Sequence, residues 1–294
     1  MSARAAGVSE GFSADTIYAT LRSAAARLPR SPTPILDAEE LLAHVLGVSR
    51  TALLARGTDG LPAGSRAAFD RLLTRRAAGE PVAYLTGRVW FYGLELEVTP
   101  AVLIPRPETE ALAEWAIGWA QARGGPLGVL DVGTGSGALA LALAANVPVD
   151  LTIHATDVAP AALDVARRNA LRFGLAERIT FHQADLLPPA PPAFDLVVAN
   201  LPYVGTDELA DVAPDVLLWE PHAALFAGPG GLALIRRLLG LLPGRLSAGA
   251  AVGLEIGWRQ GAAVVALARA AFPGARVTLR PDLAGLDRIV TIQP

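Results

Sequence analysis

The chain has 294 residues, a length that suggests either two domains or one large α/β unit. Lysine and arginine number 25 against 28 aspartates and glutamates, so the net charge is −3, and 52% of the residues are hydrophobic. This balance excludes a disordered chain and a polybasic nucleic-acid coat. With no cysteine, the chain cannot form disulfides, iron–sulfur clusters, zinc thiolate sites or a cysteine nucleophile.

The N-terminal segment lacks the apolar block of a signal peptide, because Glu10 and Asp15 come before any apolar run. A charge-free window at residues 132–149 contains three glycines and nearly ends at Pro148, which a membrane-spanning helix does not favour. We therefore expect a soluble cytoplasmic protein.

From Ser13 to about Gly79, apolar residues recur at helical spacing and predict three helices of a small helical domain. The three stripes are Ile17, Leu21, Ala24 and Leu28; Leu41, Leu42, Val45 and Leu46, ended by Gly47; and Phe69, Leu72 and Leu73. We assign this domain to residues 1–82. Its size and position are those of a module that docks a partner.

The period of the apolar residues then changes to two. Leu94, Leu96 and Val98 alternate with glutamates, and three aromatic residues at 90–92 precede Gly93. The pattern predicts a β-hairpin that turns at Gly93. We assign it to a linker that comprises residues 83–104.

Residues 105–294 alternate short apolar runs with amphipathic stretches, after a helix expected from Pro107 to about Ala122. The runs are residues 127–132, 151–155, 179–182, 194–199, 250–256, 277–279 and 289–292. They predict βαβ units in a doubly wound, mostly parallel seven-stranded sheet, with a ligand at the carboxyl ends of its strands. The proline-rich segment 188–192 is interpreted as a connecting loop.

A glycine-rich loop follows the first strand of this sheet and leads into a helix at Ala138. Its residues are Asp131, Val132, Gly133, Thr134, Gly135, Ser136 and Gly137. Glycines permit a tight turn and let a ligand approach bare backbone. Asp157 ends the next strand, where its carboxylate can accept both ribose hydroxyls of an adenosine.

The loop fits S-adenosylmethionine, a nicotinamide cofactor, or a tight turn without a ligand. A dinucleotide places its pyrophosphate on the helix N-terminus and usually has the pattern G-x-G-x-x-G, whereas the glycines here run G-x-G-x-G. Asp131 would repel a phosphate but accept from an ammonium group, which favours S-adenosylmethionine. Asp185, after the third strand, suits the adenine amino group or is a solvated turn residue.

The strand predicted at residues 194–199 ends in an acceptor motif, Asn200, Leu201, Pro202 and Tyr203. Such N-x-P-Y motifs serve planar nitrogens, whose lone pair is a poor nucleophile. If the Asn200 side-chain carbonyl and the Leu201 main-chain carbonyl each accept one N–H, the lone pair is directed at the methyl group. Pro202 restrains Leu201 to extended geometry, and Tyr203 can stack on the acceptor. The alternative is an ordinary exit from a strand, where Asn and Pro are common.

These motifs resemble those of the peptide chain release factor glutamine methyltransferases, the HemK or PrmC family. The resemblance covers nearly the whole chain and includes residues 81–87, 103–110, 220–221, 224–225, 254–257, 282–285 and 287–290. The stretch Ile-Pro-Arg-Pro-Glu-Thr-Glu at 104–110 is far more specific than the glycine loop, which most class I methyltransferases share.

The resemblance implies a class I methyltransferase that methylates N5 of the glutamine in the Gly-Gly-Gln motif of bacterial-type release factors, with S-adenosylmethionine as the donor. The residues expected to hold the cofactor are Asp131, Gly133, Thr134, Gly135, Ser136, Gly137, Asp157, Asp185, Leu186 and Asn200. The residues expected to hold the glutamine amide are Asn200, Leu201, Pro202 and Tyr203, of which Asn200, Pro202 and Tyr203 are the predicted catalytic residues. We expect a monomer that docks the release factor through its helical domain.

One position departs from the family motif, which is usually Asn-Pro-Pro-Tyr. Leu201 keeps the main-chain carbonyl but loses the stiffness of a proline. Asn-Leu-Pro-Tyr is also similar to the motif of ribosomal RNA adenine N6-dimethyltransferases, so a nucleic-acid amino-methyltransferase is the alternative function. Such an enzyme needs an excess of Lys and Arg along one face. Basic pairs occur at residues 75–76, 167–168 and 236–237, and a solvated helix face also explains them.

Two further functions fit less well. A dehydrogenase needs a different glycine spacing, and a cofactor-binding protein without catalysis would make the acceptor motif an accident. His44, His154, His182 and His222 have no ligand spacing, so no metal site is expected, and His154 and His182 are interpreted as core residues. Glu255 orients main-chain amides, lines the pocket or simply ends a strand. Arg106 contacts cofactor or substrate protein, or bridges to Glu108.

Overall fold

The protein is described by a computed structural model that covers residues 16–189, 193–282 and 284–294. The prediction on the signal peptide depends on residues that lie outside these ranges. Also outside them are Ser13, part of the proline-rich connector and Leu283. The chain divides into two compact units, Met1–Thr86 and Gly87–Pro294. The hairpin belongs to the second unit. The domain boundaries predicted after residues 82 and 104 stay predictions.

The first unit is helical around its own core. Its helices are α1 (Ile17–Ala26), α2 (Pro34–Leu46), α3 (Arg50–Ala55), α4 (Ser65–Ala77) and α5 (Val82–Thr86). Ile17, Leu41 and Phe69, one from each predicted stripe, are fully buried in that core, because spacings of three and four residues put apolar side chains on one side of a helix. Gly47 ends α2 in the left-handed conformation, with φ of 64°. The three predicted helices are confirmed.

The predicted hairpin is confirmed as well. Strands β1 (Arg88–Phe91) and β2 (Leu94–Glu97) pair antiparallel. The connecting residues Tyr92 and Gly93 have φ of 46° and 79°. Two successive positive φ angles are typical of a two-residue type I′ turn, in which glycine is the usual second residue.

All seven predicted strands form one sheet in the second unit. They are β3 (Leu127–Val132), β4 (Leu151–Asp157), β5 (Ile179–Gln183), β6 (Phe194–Ala199), β7 (Leu246–Glu255), β8 (Arg276–Pro281) and β9 (Asp287–Gln293). Their spatial order is β5-β4-β3-β6-β7-β9-β8, and only the pairs made by β9 are antiparallel. The predicted doubly wound, mostly parallel fold is confirmed, and its strand order reverses between β3 and β6.

The second unit also contains α-helices. They are α6 (Thr109–Arg123), α7 (Ala138–Asn146), α8 (Pro160–Arg172), α9 (Pro214–Trp219), α10 (Ala233–Leu241) and α11 (Gly261–Ala271). One apolar cluster joins α6 and α7 to the strands, and a second joins α10 and α11 to them. Because β3 and β6 are buried on both faces, they appear in the sequence as continuous apolar runs. None of the helices in the described part of the chain is long and apolar enough to cross a membrane.

Candidate active site

The glycine loop and the acceptor motif meet where the strand order reverses. Val132 at the end of β3 lies opposite Ala199 at the end of β6, so the residues that follow leave the sheet side by side. A Cβ atom on Gly133 would lie only 3.1 Å from Cδ2 of Leu201. The two loops line one cleft with a volume of about 210 Å³. This is the position at which doubly wound sheets bind ligands.

Asp131 supplies a buried carboxyl group to the cleft. Its Oδ2 accepts from the Thr134 hydroxyl at 2.6 Å and from the Ala140 N–H at 3.2 Å. Its Oδ1 is buried and has no hydrogen-bond partner within the described ranges. Burial raises the pKa of Asp131 to about 6, although both hydrogen bonds oppose the shift. A buried carboxyl oxygen without a partner favours a ligand that carries a hydrogen-bond donor or a positive charge.

The glycines of the loop have different surroundings. Gly135, with φ of 55°, has open space where a Cβ would lie, and its N–H donates to Oδ2 of Asp157 at 3.0 Å. It therefore exposes bare backbone to the cleft. Gly137 does not line the cleft, which differs from its predicted place among the cofactor-binding residues. A Cβ on Gly137 would lie 3.3 Å from that of Ala166, so this glycine allows α7 and α8 to pack closely.

Asp157 lies at the end of β4 with both carboxyl oxygens fixed by backbone. Besides the bond from Gly135 to Oδ2, the Ala159 N–H donates to Oδ1 at 2.9 Å. Each carboxylate oxygen can accept a further hydrogen bond. Asp157 is thus oriented toward the cleft with capacity for two hydroxyl groups, as its predicted role requires.

The turn at Asp185 and Leu186 lines the cleft after β5. The Thr156 hydroxyl donates to the Leu186 carbonyl at 2.7 Å, and Leu186 has φ of 72°. Asp185 pairs with Arg237 at 2.7 Å on the surface. A hydrogen bond from Asp185 to an adenine amino group would therefore share the carboxylate with this ion pair.

Asn200 is hydrogen-bonded through its amide nitrogen. Nδ2 donates at 3.0 Å to Oγ1 of Thr109, the buried first residue of α6. Oδ1 of Asn200 is therefore the atom left to accept from a ligand in the cleft. Leu201 is buried and packs against Gly133, so side-chain packing restrains the position at which the family usually has proline.

The remainder of the acceptor motif is held by the chain that packs against it. Nε2 of Gln260 donates to the Tyr203 carbonyl at 2.8 Å. Gly231, with φ of 68°, lies so near that a Cβ would be 1.9 Å from the Tyr203 carbonyl oxygen. No local sequence pattern marks Gln260 and Gly231 as site residues, because only the tertiary fold brings them to the motif.

Tyr203, which is partly buried, and Glu255, which is fully buried, form a polar pair. The Tyr203 hydroxyl donates to Oε1 of Glu255 at 3.4 Å, whereas Oε2 is buried with no hydrogen-bond partner in the described chain. Burial raises the pKa of Glu255 to about 7, opposed by the Thr109 hydroxyl, Arg288 and Tyr203. Burial also raises the pKa of Tyr203, so its phenol stays protonated. Glu255 therefore interacts with the acceptor motif and does not simply end a strand.

Arg106 bridges to Glu220, and the predicted bridge to Glu108 is wrong. The Glu220 side chain is only 2% exposed and also accepts from the Ile104 N–H at 3.1 Å. These contacts fix residues 104–106 beside the loop at Pro221, which lines the cleft. Arg106 and the acceptor motif also line an adjoining cavity of about 170 Å³.

Most arginines of the predicted basic pairs form ion pairs with carboxylates of the same unit. The ion pairs are Arg75–Glu80, Arg76–Asp37, Arg167–Asp164, Arg168–Glu97 and Arg237–Asp185. A basic face for nucleic acid needs cations that are free to meet phosphates. Because their guanidinium groups are already paired with carboxylates, these arginines do not favour phosphate binding.

The two strand histidines contact each other. Nδ1 of His154 and Nε2 of His182 are 2.9 Å apart, and burial lowers the pKa of both side chains. Both are only partly buried and neither belongs to the buried apolar clusters, so their interpretation as core residues is wrong. Within residues 16–189, 193–282 and 284–294, no group of three or more His, Cys, Asp or Glu side chains is arranged to hold a metal ion.

A doubly wound sheet with this glycine loop, an acid at the end of β4 and an N-x-P-Y motif at the end of β6 defines a class I methyltransferase. Family models match residues 19–87 as a PrmC N-terminal domain and residues 129–217 as a methyltransferase domain. The chain belongs to the release factor glutamine methyltransferase family, which confirms the resemblance found in the sequence.

The relatives are similar over most of their length. The release factor glutamine methyltransferase of Bordetella pertussis is 46% identical over 87% of this chain and 93% of the relative. That of Bacillus subtilis is 37% identical over 94% of this chain and 96% of the relative.

Two solved structures share the fold alone. A methyltransferase from Pyrococcus furiosus has a TM-score of 0.50 and 18% identity over 76% of this chain and 96% of its own. The catalytic domain of hMettl16, solved with an RNA hairpin, has a TM-score of 0.53 and 16% identity over 76% of this chain and 81% of its own.

Proposed function

We propose that this protein transfers a methyl group from S-adenosylmethionine to the side-chain amide nitrogen, N5, of the glutamine in the Gly-Gly-Gln motif of peptide chain release factors. The observation that carries the proposal is the position of Asn200, whose Nδ2 is bound to Thr109 while Oδ1 is left to accept from a planar NH₂ group beside the cofactor cleft. The names of relatives that are similar over most of the chain support the substrate.

The cleft fits S-adenosylmethionine by charge and hydrogen bonding. The unpartnered Oδ1 of Asp131 suits the α-ammonium group, and Asp157 suits the ribose hydroxyls. The turn at Asp185 and Leu186 would face the adenine, and Gly135 has no side chain to obstruct the cofactor. A pyrophosphate would be repelled by the Asp131 carboxylate, which does not favour a nicotinamide cofactor. When bound, S-adenosylmethionine supplies an electrophilic methyl group on a positively charged sulfur.

Asn200 and Leu201 would orient the acceptor amide. Their two carbonyl oxygens each accept one N–H, so the weak nitrogen lone pair points along the line of attack. The N–C bond would form as the bond from sulfur to the methyl carbon breaks, so that S-adenosylhomocysteine leaves as a neutral thioether. Positive charge would grow on the nitrogen, where both carbonyl dipoles stabilise it. One of the two amide protons would then pass to water. Orientation and electrostatics, and not a strong base, would favour the transfer. Pro202 and Tyr203 would complete the site by restraining Leu201 and packing on the flat amide.

The partner assignments are part of the same proposal. We propose that the helical unit docks the release factor, that the enzyme acts as a monomer in the cytoplasm, and that it needs neither nucleic acid nor membrane. The match of residues 19–87 to an N-terminal domain of this family supports the docking role. The internal pairing of arginines such as Arg75 and Arg168 does not favour amino-methylation of nucleic acid.

A labelling experiment tests the proposal directly. The protein is incubated with methyl-labelled S-adenosylmethionine and, in parallel, with a bacterial release factor, the same factor with its Gly-Gly-Gln glutamine replaced by alanine, and ribosomal RNA. We expect label on the unaltered factor alone. Label on the alanine variant at the same level, or on the RNA alone, would reject the proposal.

A further inference from the structure

Thr109 connects the acceptor motif to a buried carboxyl group that the methyl transfer does not itself require. Its Oγ1 accepts from Nδ2 of Asn200 at 3.0 Å. Its hydroxyl lies near the carboxyl group of Glu255, whose ionised form it favours. Glu255 lies at the end of β7 and accepts from Tyr203 at 3.4 Å. A series of polar side chains therefore runs from Tyr203 through Glu255 and Thr109 to Asn200, with a hydrogen bond at each of its two ends.

The Thr109 hydroxyl does not serve its own helix. Thr109 is the first residue of α6, and Glu108 before it makes no side-chain cap. A threonine at a helix start commonly satisfies a backbone N–H of the first turn. The hydroxyl of Thr109 instead accepts from Asn200, after β6, and faces Glu255, at the end of β7. It is therefore directed to the site and not to helix formation.

The donor and acceptor roles along this series follow from the chemistry of its members. An ionised carboxylate can only accept, so the Thr109 hydroxyl would direct its hydrogen toward Glu255 and present a lone pair to Asn200. That lone pair can only be met by the NH₂ side of the Asn200 amide. The Asn200 carbonyl must then point away from Thr109, into the cleft.

We propose that Thr109 is a positioning residue, whose hydroxyl is oriented by Glu255 and holds the Asn200 amide with Oδ1 toward the acceptor nitrogen. This inference rests on the proposed function, because it specifies how the acceptor carbonyl is kept in place. If the Asn200 amide were rotated by half a turn, its NH₂ group would face the substrate NH₂ group, and two donors would oppose each other.

Protonation of Glu255 would remove the preference of the Thr109 hydroxyl for accepting from the Asn200 amide. A protonated carboxyl group can donate to Thr109, which then can donate to Oδ1 of Asn200 and stabilise the rotated amide. The charged and titratable groups that face Glu255 are Arg288 and Tyr203, which favour its ionised form, and Glu108, which opposes it.

The first test uses Thr109→Val, which keeps the shape of the side chain without the hydroxyl, and Thr109→Ser, which restores the hydroxyl. We expect Thr109→Val to lower kcat for release-factor methylation by roughly tenfold to a hundredfold, since misplaced reacting groups cost that much. Cofactor affinity should change by less than about threefold, and Thr109→Ser should recover most of kcat. Thr291→Val on β9, which also loses a buried threonine hydroxyl, is the matched control and should keep wild-type kcat.

The pH profile separates positioning from simple stability. In the wild-type protein kcat should fall as the pH drops through the pKa of Glu255, about 7. In Thr109→Val the Asn200 amide no longer responds to Glu255, so this fall should be absent. Wild-type kcat and an unchanged pH profile in Thr109→Val would overturn the inference, as would an equal loss in Thr109→Ser.

A second readout needs no substrate. The asparagines of the chain are Asn146, Asn169 and Asn200, so ¹⁵N-asparagine labelling gives three side-chain amide signals. We expect exchange of the Asn200 amide protons to accelerate in Thr109→Val, while Asn169, held by the Ser136 carbonyl, stays unchanged. Unaltered Asn200 exchange would overturn the inference. Absence of methylation by the wild-type protein, with these NMR changes present, would instead reject the proposed function.

Discussion

Thr134 donates a 2.6 Å hydrogen bond to one carboxyl oxygen of Asp131, and the other oxygen is buried without a partner among the described residues. This asymmetry favours a cationic ligand at the glycine loop. The bound oxygen fixes the carboxyl group, and the unpartnered one gains the most from an ammonium group. Burial meanwhile keeps the pKa of Asp131 at about 6 in the free protein.

The affinity for S-adenosylmethionine should therefore depend on pH. Because the ammonium group favours ionised Asp131, binding below about pH 6 requires loss of a proton, and affinity should rise as the pH increases through that value. Asp131→Asn should weaken binding by about tenfold or more and abolish the pH dependence, since hydrogen bonds to charged groups contribute roughly 1.5 to 3 kcal/mol. Titration calorimetry from about pH 5 to pH 8 measures both, and a flat wild-type profile would refute this role.

Glu255 should make the folded protein less stable at alkaline pH. Burial raises its pKa from 4.5 to about 7, so the folded state holds a proton that the unfolded state releases. Stability falls as the pH rises from 4.5 toward 7, and the loss is complete above that range. The unfolding free energy of Glu255→Gln minus that of wild type should therefore be larger at about pH 8 than at about pH 5. The increase between the two pH values should be on the order of 2 to 3 kcal/mol. Urea unfolding at the two pH values tests this, and an equal difference at both would contradict it.

Arg106 should stabilise the wall of the cleft through Glu220. Removing the guanidinium in Arg106→Ala leaves a carboxylate that is only 2% exposed without its cation. Because Arg106 itself is partly exposed, we expect a loss of about 2 kcal/mol, below the range for a fully buried pair. In the double variant Arg106→Ala with Glu220→Gln, part of that stability should return. Equal stability of the two variants in urea unfolding would argue against a charge-based role.

Gly231 should be essential to the acceptor motif for a steric reason. A Cβ there would lie 1.9 Å from the Tyr203 carbonyl oxygen, so Gly231→Ala must displace the motif. Gly230 is a matched control, because it also has positive φ, 66°, but has open space where a Cβ would lie. We expect Gly231→Ala to lower kcat by roughly a hundredfold. Gly230→Ala should cost only about 1 to 2 kcal/mol of backbone strain with nearly normal kcat. Similar kcat values for both variants would show that the close approach is unimportant.

The fold could be predicted because its signals are local. The apolar run at residues 194–199 coincides with β6, and the aromatic residues before Gly93 mark the hairpin turn. The predictions fail where a segment lacks such a signal. Helices α3 and α5, of six and five residues, are too short to show a repeating apolar stripe. Strand β7 begins at Leu246 and not at residue 250. Residues 247–249 are small or polar and interrupt the apolar run, so only the pairing of Leu246 with Phe194 of β6 shows that the strand starts earlier.

The candidate site could be predicted in part for the same reason. Asp131, Asp157 and Asn200 all lie at the carboxyl ends of apolar strands, and parallel strands bring these ends to one edge of the sheet. The groups that hold them come from distant parts of the chain. Thr109 contacts Asn200 across 91 residues, and Arg106 contacts Glu220 across 114. No local pattern specifies such pairs.

The central claim is that the Asn200 carbonyl orients the acceptor amide. The most direct measurement compares wild type with Asn200→Ala, using single-turnover methylation of a release factor together with the dissociation constant for S-adenosylmethionine. We predict that the rate of methyl transfer falls by roughly a hundredfold to a thousandfold, as for other preorganised polar groups in active sites, while cofactor affinity stays within about threefold. A near-normal transfer rate in Asn200→Ala would contradict the account.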